Sequence, residues 1–133
     1  MFERIDTICL TVSNVEKSSV WYEELGFKVT FQGEGYRVLS VGKSEVPLTI
    51  EEGSKGSNKD LRKTVSMDSS KAKSIAYHEN QAYPIFFTRD IEGTYKKLRN
   101  KGVEVTEIRD DGDNKYFDFY DLDHNKLQVC FWE

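Results

Sequence analysis

The chain has 133 residues, 38% of them apolar and 13% aromatic, with 19 basic against 23 acidic side chains and a net charge of −4. That length suits one domain, or two small modules sharing a core, and adding the nine glycines brings the apolar share to the low edge of the ordinary globular range. The acidic balance repels a phosphate backbone, so nucleic acid is excluded as a partner, and no run approaches the roughly 18 apolar residues of a membrane span. The first residues, MFERIDTICLTVSN, lack the basic and apolar segments of a signal peptide, which points to the cytoplasm. Cys9 and Cys130 match no disulfide framework or zinc spacing and read as free thiols.

In chain order, Ile8, Leu10 and Val12 alternate with Thr7, Cys9 and Thr11, the period of two of a strand with unlike faces. Ser13 or Asn14 caps a helix that runs to Leu25, with Val15, Ser19 and Tyr22 on its inner stripe and Gly26 ending it. Strands follow at 27–31, 36–41 and 47–51. Residues 53–80 are polar and rich in Ser and Lys, and carry a local charge of +3 against −7 elsewhere. Their length marks a linker, a mobile lid or both. A second copy then begins: a shift of 76 residues lays 14–16 on 90–92, Gly26 on Gly102 and Val29-Thr30 on Val105-Thr106. Asp90 caps its helix, with Ile91, Tyr95 and Leu98 as the stripe, and strands follow at 103–108, 115–120 and 126–132. The closing strands match at a shift of 79, Leu48-Thr49-Ile50 on Leu127-Gln128-Val129.

The expected fold is α+β: tandem βαβββ modules whose curved mixed sheets surround a cavity, with helices on the outer faces. The whole is read as a single domain of module one (1–52), linker or lid (53–80) and module two (81–133). Its phrases, LTVSNVEKS at 10–18, WYEELGF at 21–27, FFTRDIEGTYKKLRNKGVEV at 86–105 and DLDHNKL at 121–127, resemble the vicinal oxygen chelate superfamily of glyoxalases, extradiol dioxygenases and fosfomycin- and bleomycin-resistance proteins. The resemblance implies the shared cavity and a homodimer. It also implies four positions at which relatives carry His, Glu or Gln metal ligands, and here these are Thr7, Thr49, Tyr83 and Gln128. Only Gln128 has a suitable donor, and a divalent cation needs three or more imidazole, carboxylate or thiolate groups. No metal and no other cofactor is therefore expected. His124 stands where relatives have a turn Gly and reads as a residue tolerant of left-handed φ.

Strand parity names a lining. With Thr7 facing the cavity, so do Cys9 and Thr11; Thr49 brings Glu51, Tyr83 brings Ile85 and Phe87, and Gln128 brings Cys130 and Trp132. Tyr116, Asp118 and Tyr120 oppose Phe117 and Phe119, and the repeat puts Arg37 beside them. The candidate ligand-binding set is thus Thr7, Cys9, Arg37, Thr49, Glu51, Tyr83, Phe87, Tyr116, Asp118, Gln128 and Trp132. In it Trp132, Tyr83 and Phe87 would stack on a planar ligand and Glu51 or Asp118 would pair with a cationic group. Against this stands the plainer reading that sheet aromatics fill space and a rim carboxylate is merely solvated. No catalytic residue is assigned, since neither cysteine has a base nearby in sequence: His78 lies in the linker and His124 in a turn. The best reading is a glyoxalase- and bleomycin-resistance-like, metal-free binder of a small organic molecule. The alternatives are a metal-dependent lyase, isomerase or dioxygenase recruiting Glu51, His78, His124 or Gln128, and an interaction module with no ligand.

Overall fold

The computed structural model describes residues 1–53 and 81–133, so residues 54–80, and with them most of the linker or lid and His78, lie outside the described residues. It divides into two compact units, Met1–Asn80 and Gln81–Glu133. In the first, β1 (Ile8–Val12) leads into α1 (Val15–Glu24), then β2 (Lys28–Gly33), β3 (Tyr36–Ser40) and β4 (Leu48–Glu52). They form a mixed sheet ordered β1-β4-β3-β2, with β1 parallel to β4 and the other pairs antiparallel. In the second, β5 (Ile85–Phe87) leads into α2 (Ile91–Asn100), β6 (Glu104–Val105), β7 (Arg109–Asp110), β8 (Asn114–Tyr120) and β9 (Lys126–Trp132). The order is β5-β9-β8-β6, with β7 also paired to β8 and β5 parallel to β9. The chain is α+β, two βαβββ modules. Among the described residues no helix is long and apolar enough to cross a membrane.

Local chemistry fixes the helices. Asn14 caps α1, its Oδ1 accepting from the Lys17 N–H at 3.0 Å, and Asp90 caps α2 by accepting from Gly93 N–H at 3.0 Å. Each helix is followed by a glycine with positive φ, 100° at Gly26 and 80° at Gly102, a conformation that a side chain would oppose. His124 does take left-handed φ, at 62°.

Each sheet has one apolar face. In module one Val15 and Tyr22 of α1 join Val12, Leu39, Leu48 and Ile50, all buried. In module two Ile91 and Leu98 of α2 join Phe117, Phe119, Leu127 and Val129, and Tyr95 meets Phe117 edge-on at 5.3 Å. Such side chains stabilise by roughly 1.5–3 kcal/mol each, which is enough to fix which face the helix covers. The parallel registers repeat too: Cys9 pairs with Thr49 as Ile85 pairs with Gln128, the same positions under the shifts of 76 and 79.

Two departures from the predicted strands matter for the site. The predicted strand at 103–108 is only Glu104–Val105, because one extra residue separates the Val105–Phe119 pair from the Arg109–Tyr116 pair. At that bulge the Asp118 N–H donates to the Thr106 hydroxyl at 2.9 Å while the Thr106 N–H donates to the Asp118 carbonyl at 2.8 Å. Module one has the same irregularity between Val29 and Phe31, so Thr30 and Thr106, equivalent in sequence, both mark bulges. The second departure concerns Arg37. Its cross-strand partner is Ile50, which puts it on the helix-side face with Leu39 rather than beside Thr49. The loop closing β3 and β4 holds eight residues between the paired Leu39 and Leu48, whereas seven lie between Phe119 and Leu127. One residue of slip exchanges the faces of a strand. Tyr36, opposite Glu51, therefore stands in the place of Tyr116, and Val38, opposite Thr49, in that of Asp118.

Candidate functional site

The faces turned away from the helices carry the polar chemistry, and each module is built differently. In module one the Thr7 hydroxyl donates to the Pro47 carbonyl at 3.0 Å and lies 2.7 Å from the Thr49 hydroxyl. Both residues line a pocket of about 630 Å³ with Arg4, Ile5, Asp6, Val38, Glu45, Val46 and Pro47. That volume falls within the range of small-molecule sites. Cys9 lies on β1 beside Glu51; partial desolvation pushes its thiol up first, and the Glu51 carboxylate and its hydrogen bond push it further. A thiol held protonated is a poor nucleophile. Arg37 lies on the opposite face, where its Nη1 donates to the Gly33 and Tyr36 carbonyls at 3.1 and 2.8 Å.

Module two holds a connected network around Asp118, whose side chain is 8% exposed. The Gln128 Nε2 donates to Asp118 Oδ1 at 2.8 Å, Arg109 Nη2 stands 3.0 Å from Oδ2, and Lys126 Nζ stands 3.9 Å from the same oxygen. Both cations also lie over rings: the Arg109 guanidinium 4.3 Å from the Tyr116 centroid and the Lys126 ammonium 4.1 Å from that of Tyr83. Further along the same face Phe87 meets Trp132 edge-on at 5.5 Å, and both remain exposed, as does Ile85. At the other end Tyr120 stacks on His124 at 4.4 Å, and the Glu104 carboxylate stands 3.9 Å from the His124 Nδ1. Burial pushes the Tyr120 phenol up, and Asp118 and Glu104 add to the shift while Arg109 opposes it. Burial likewise raises the Cys130 thiol.

Of the expected set, the structure joins Thr7 to Thr49, Cys9 to Glu51, Asp118 to Gln128 and Phe87 to Trp132, while Tyr83 and Tyr116 are reached through cations that the sequence reading did not include. Lys126 shares the parity of Gln128, a signal that strand alternation already carried. Arg109 carried none, because a regular strand at 103–108 gives no register for it. The four metal positions of the fold can also be tested. In module one they are two neutral hydroxyls bonded to one another, and in module two a phenol and an amide already committed to Asp118. Such donors do not fit a divalent cation. Among the described residues no three His, Cys, Asp or Glu side chains converge.

A family model described as the Glyoxalase/Bleomycin resistance protein/Dioxygenase superfamily matches residues 4–129. The chain belongs to this superfamily. Solved structures agree in fold. An integron cassette protein from the mobile metagenome of a Halifax Harbour sewage outfall superposes with a TM-score of 0.70 at 20% identity, over 98% of this chain and 99% of that one. TnmS3, an antibiotic-binding protein from Streptomyces sp. CB03234, gives 0.71 at 15% identity, over 99% and 98%. The fosfomycin resistance protein FosX from Listeria monocytogenes gives 0.68 at 13%, over 100% and 96%. A search of curated proteins finds no significant match.

Proposed function

We propose that this member of the superfamily binds a small organic molecule without a metal ion, on the sheet faces turned away from its helices. The observation that carries the reading is the fate of the four metal positions: Thr7 and Thr49 are spent on one another, Tyr83 lies under the Lys126 ammonium and Gln128 is spent on Asp118, while in module two exposed aromatic surface remains at Phe87 and Trp132. A mostly apolar surface with a few directed polar groups is what such a ligand requires. The antibiotic-binding neighbour, alike in fold, is consistent with it. A homodimer belongs to the same reading, since among the described residues β1 and β5 stand at the edges of their sheets, where a strand of a second copy could add.

The test is elemental analysis of the purified, untagged protein, followed by thermal melts with Mn²⁺, Ni²⁺, Zn²⁺ and Fe²⁺ and with a panel of planar aromatic compounds. A ligand that binds only the folded chain raises the melting temperature by mass action. Substoichiometric metal, no response to the cations and a rise with aromatic compounds are expected. Near-stoichiometric metal with stabilisation by one cation would refute the proposal and direct attention to lyase or dioxygenase assays.

A further inference from the structure

From the charge arrangement on module two we infer the ligand class: an organic anion, with an aromatic or apolar body and a carboxylate or similar oxyanion. The inference rests on the small-molecule reading above. It reverses the sequence-based expectation that Asp118 pairs with a cationic ligand. Both oxygens of that carboxylate are occupied, one by the Gln128 amide and the other by Arg109, with Lys126 3.9 Å away, and the group is buried. A cationic ligand would have to displace Arg109 or Lys126 to reach it.

Immediately around Asp118 two positive groups face one buried carboxylate, a local excess of one positive charge that Glu104 offsets only at the far end of the face. Arg109 presents it most openly, with its side chain 47% exposed and its plane laid over Tyr116, so that further N–H donors are left for an oxyanion. Lys126 stands 3.9 Å from Asp118, too far for a strong hydrogen bond, and over the Tyr83 ring, so its ammonium protons are not committed to that carboxylate. Glu104, the other acid on this face, is well exposed at the Tyr120 end and faces His124. The apolar part of a ligand has a place as well. Phe87 pairs with Cys130, and Cys130 with Tyr116, so two strand spacings, about 10 Å, separate the exposed ring from the cation over Tyr116. A bicyclic aromatic carboxylate spans that interval.

The experiment compares three probes of one ring system on the full chain by calorimetry: a naphthalene carboxylate, the neutral naphthylmethanol and the naphthylmethylammonium cation. The carboxylate is expected to bind about tenfold or more tightly than the alcohol, the factor that one charge-assisted contact supplies. Its advantage over the alcohol shrinks with added NaCl and falls several-fold in Arg109→Gln and, independently, in Lys126→Gln, the carboxylate losing more affinity than the alcohol in each, with folding verified by thermal melts. Equal binding of carboxylate and alcohol, tighter binding of the cation, or a preference indifferent to both substitutions would overturn the anion inference and leave small-molecule binding standing. If none of the three probes binds, both fall.

Discussion

Replacing Asp118 by Ala removes the group on which Gln128, Arg109 and Lys126 converge, and its cost can be worked from the geometry. The Gln128 contact is a short hydrogen bond to a charged, buried acceptor, of a kind that contributes about 1.5–3 kcal/mol. The Arg109 pair is half open to solvent, so its share is discounted to about 0.5–1 kcal/mol, and Lys126 at 3.9 Å adds little. Loss of the carboxylate also relieves its own burial, which returns part of the sum. A net destabilisation of about 2 kcal/mol follows, or roughly 6–10 °C in melting temperature for a chain of this size. Urea titration is the assay: the midpoint should fall with the slope unchanged, and a cycle of Asp118→Ala with Arg109→Ala should give a coupling of about 0.5–1 kcal/mol. A loss under about 0.5 kcal/mol with no coupling would show that the network does not hold this face together, and the argument from saturated oxygens would fail with it.

Two further outcomes are expected. Thr106→Val removes the acceptor of the Asp118 N–H and should cost about 1–3 kcal/mol, whereas Thr30→Val, whose exposed hydroxyl donates to the Val38 carbonyl at 3.3 Å, should cost under about 1; urea midpoints and exchange of the Asp118 amide proton distinguish the two. Stability should decline as pH rises above about 9, because Cys9, Cys130 and Tyr120 all hold their protons more tightly folded than unfolded, and the stability they contribute is lost as pH climbs through their raised values. Tyr120→Phe should flatten that decline, and a urea midpoint that increases between pH 8 and 10 would contradict it.

Much of this molecule was legible without coordinates, for identifiable reasons. The shift of 76 works because both helices need a capping side chain, an inner stripe and a terminal glycine at the same spacing, and Asn14 with Gly26 and Asp90 with Gly102 supply them. Strand parity in β4 and β9 was legible because Leu48, Ile50, Leu127 and Val129 are buried by the helices and leave Thr49 and Gln128 on the other side. Arg37 was misplaced because a loop residue more or less leaves no mark in the flanking strands yet reverses their faces. Tyr36 was overlooked for the same reason.

The sign of charge on the module-two face was hidden by a subtler cause, the bulge at Thr106. If the pairing of Val105 with Phe119 continued without interruption, Arg109 would lie opposite Lys115, on the parity of Phe117 and under α2. The extra residue moves it opposite Tyr116 instead, onto the face of Asp118. A carboxylate that reads in sequence as a free partner for a cation is thereby matched from within the chain, and the charge immediately around it becomes positive. The bulge also ties itself to that carboxylate's backbone, since the Thr106 hydroxyl takes the Asp118 N–H. Module one carries the same bulge at Thr30 but has Val38 where module two has Asp118, so the irregularity alone does not make a polar site. It is the conjunction of a register shift with one acidic side chain that turns an ordinary edge of sheet into a charged surface.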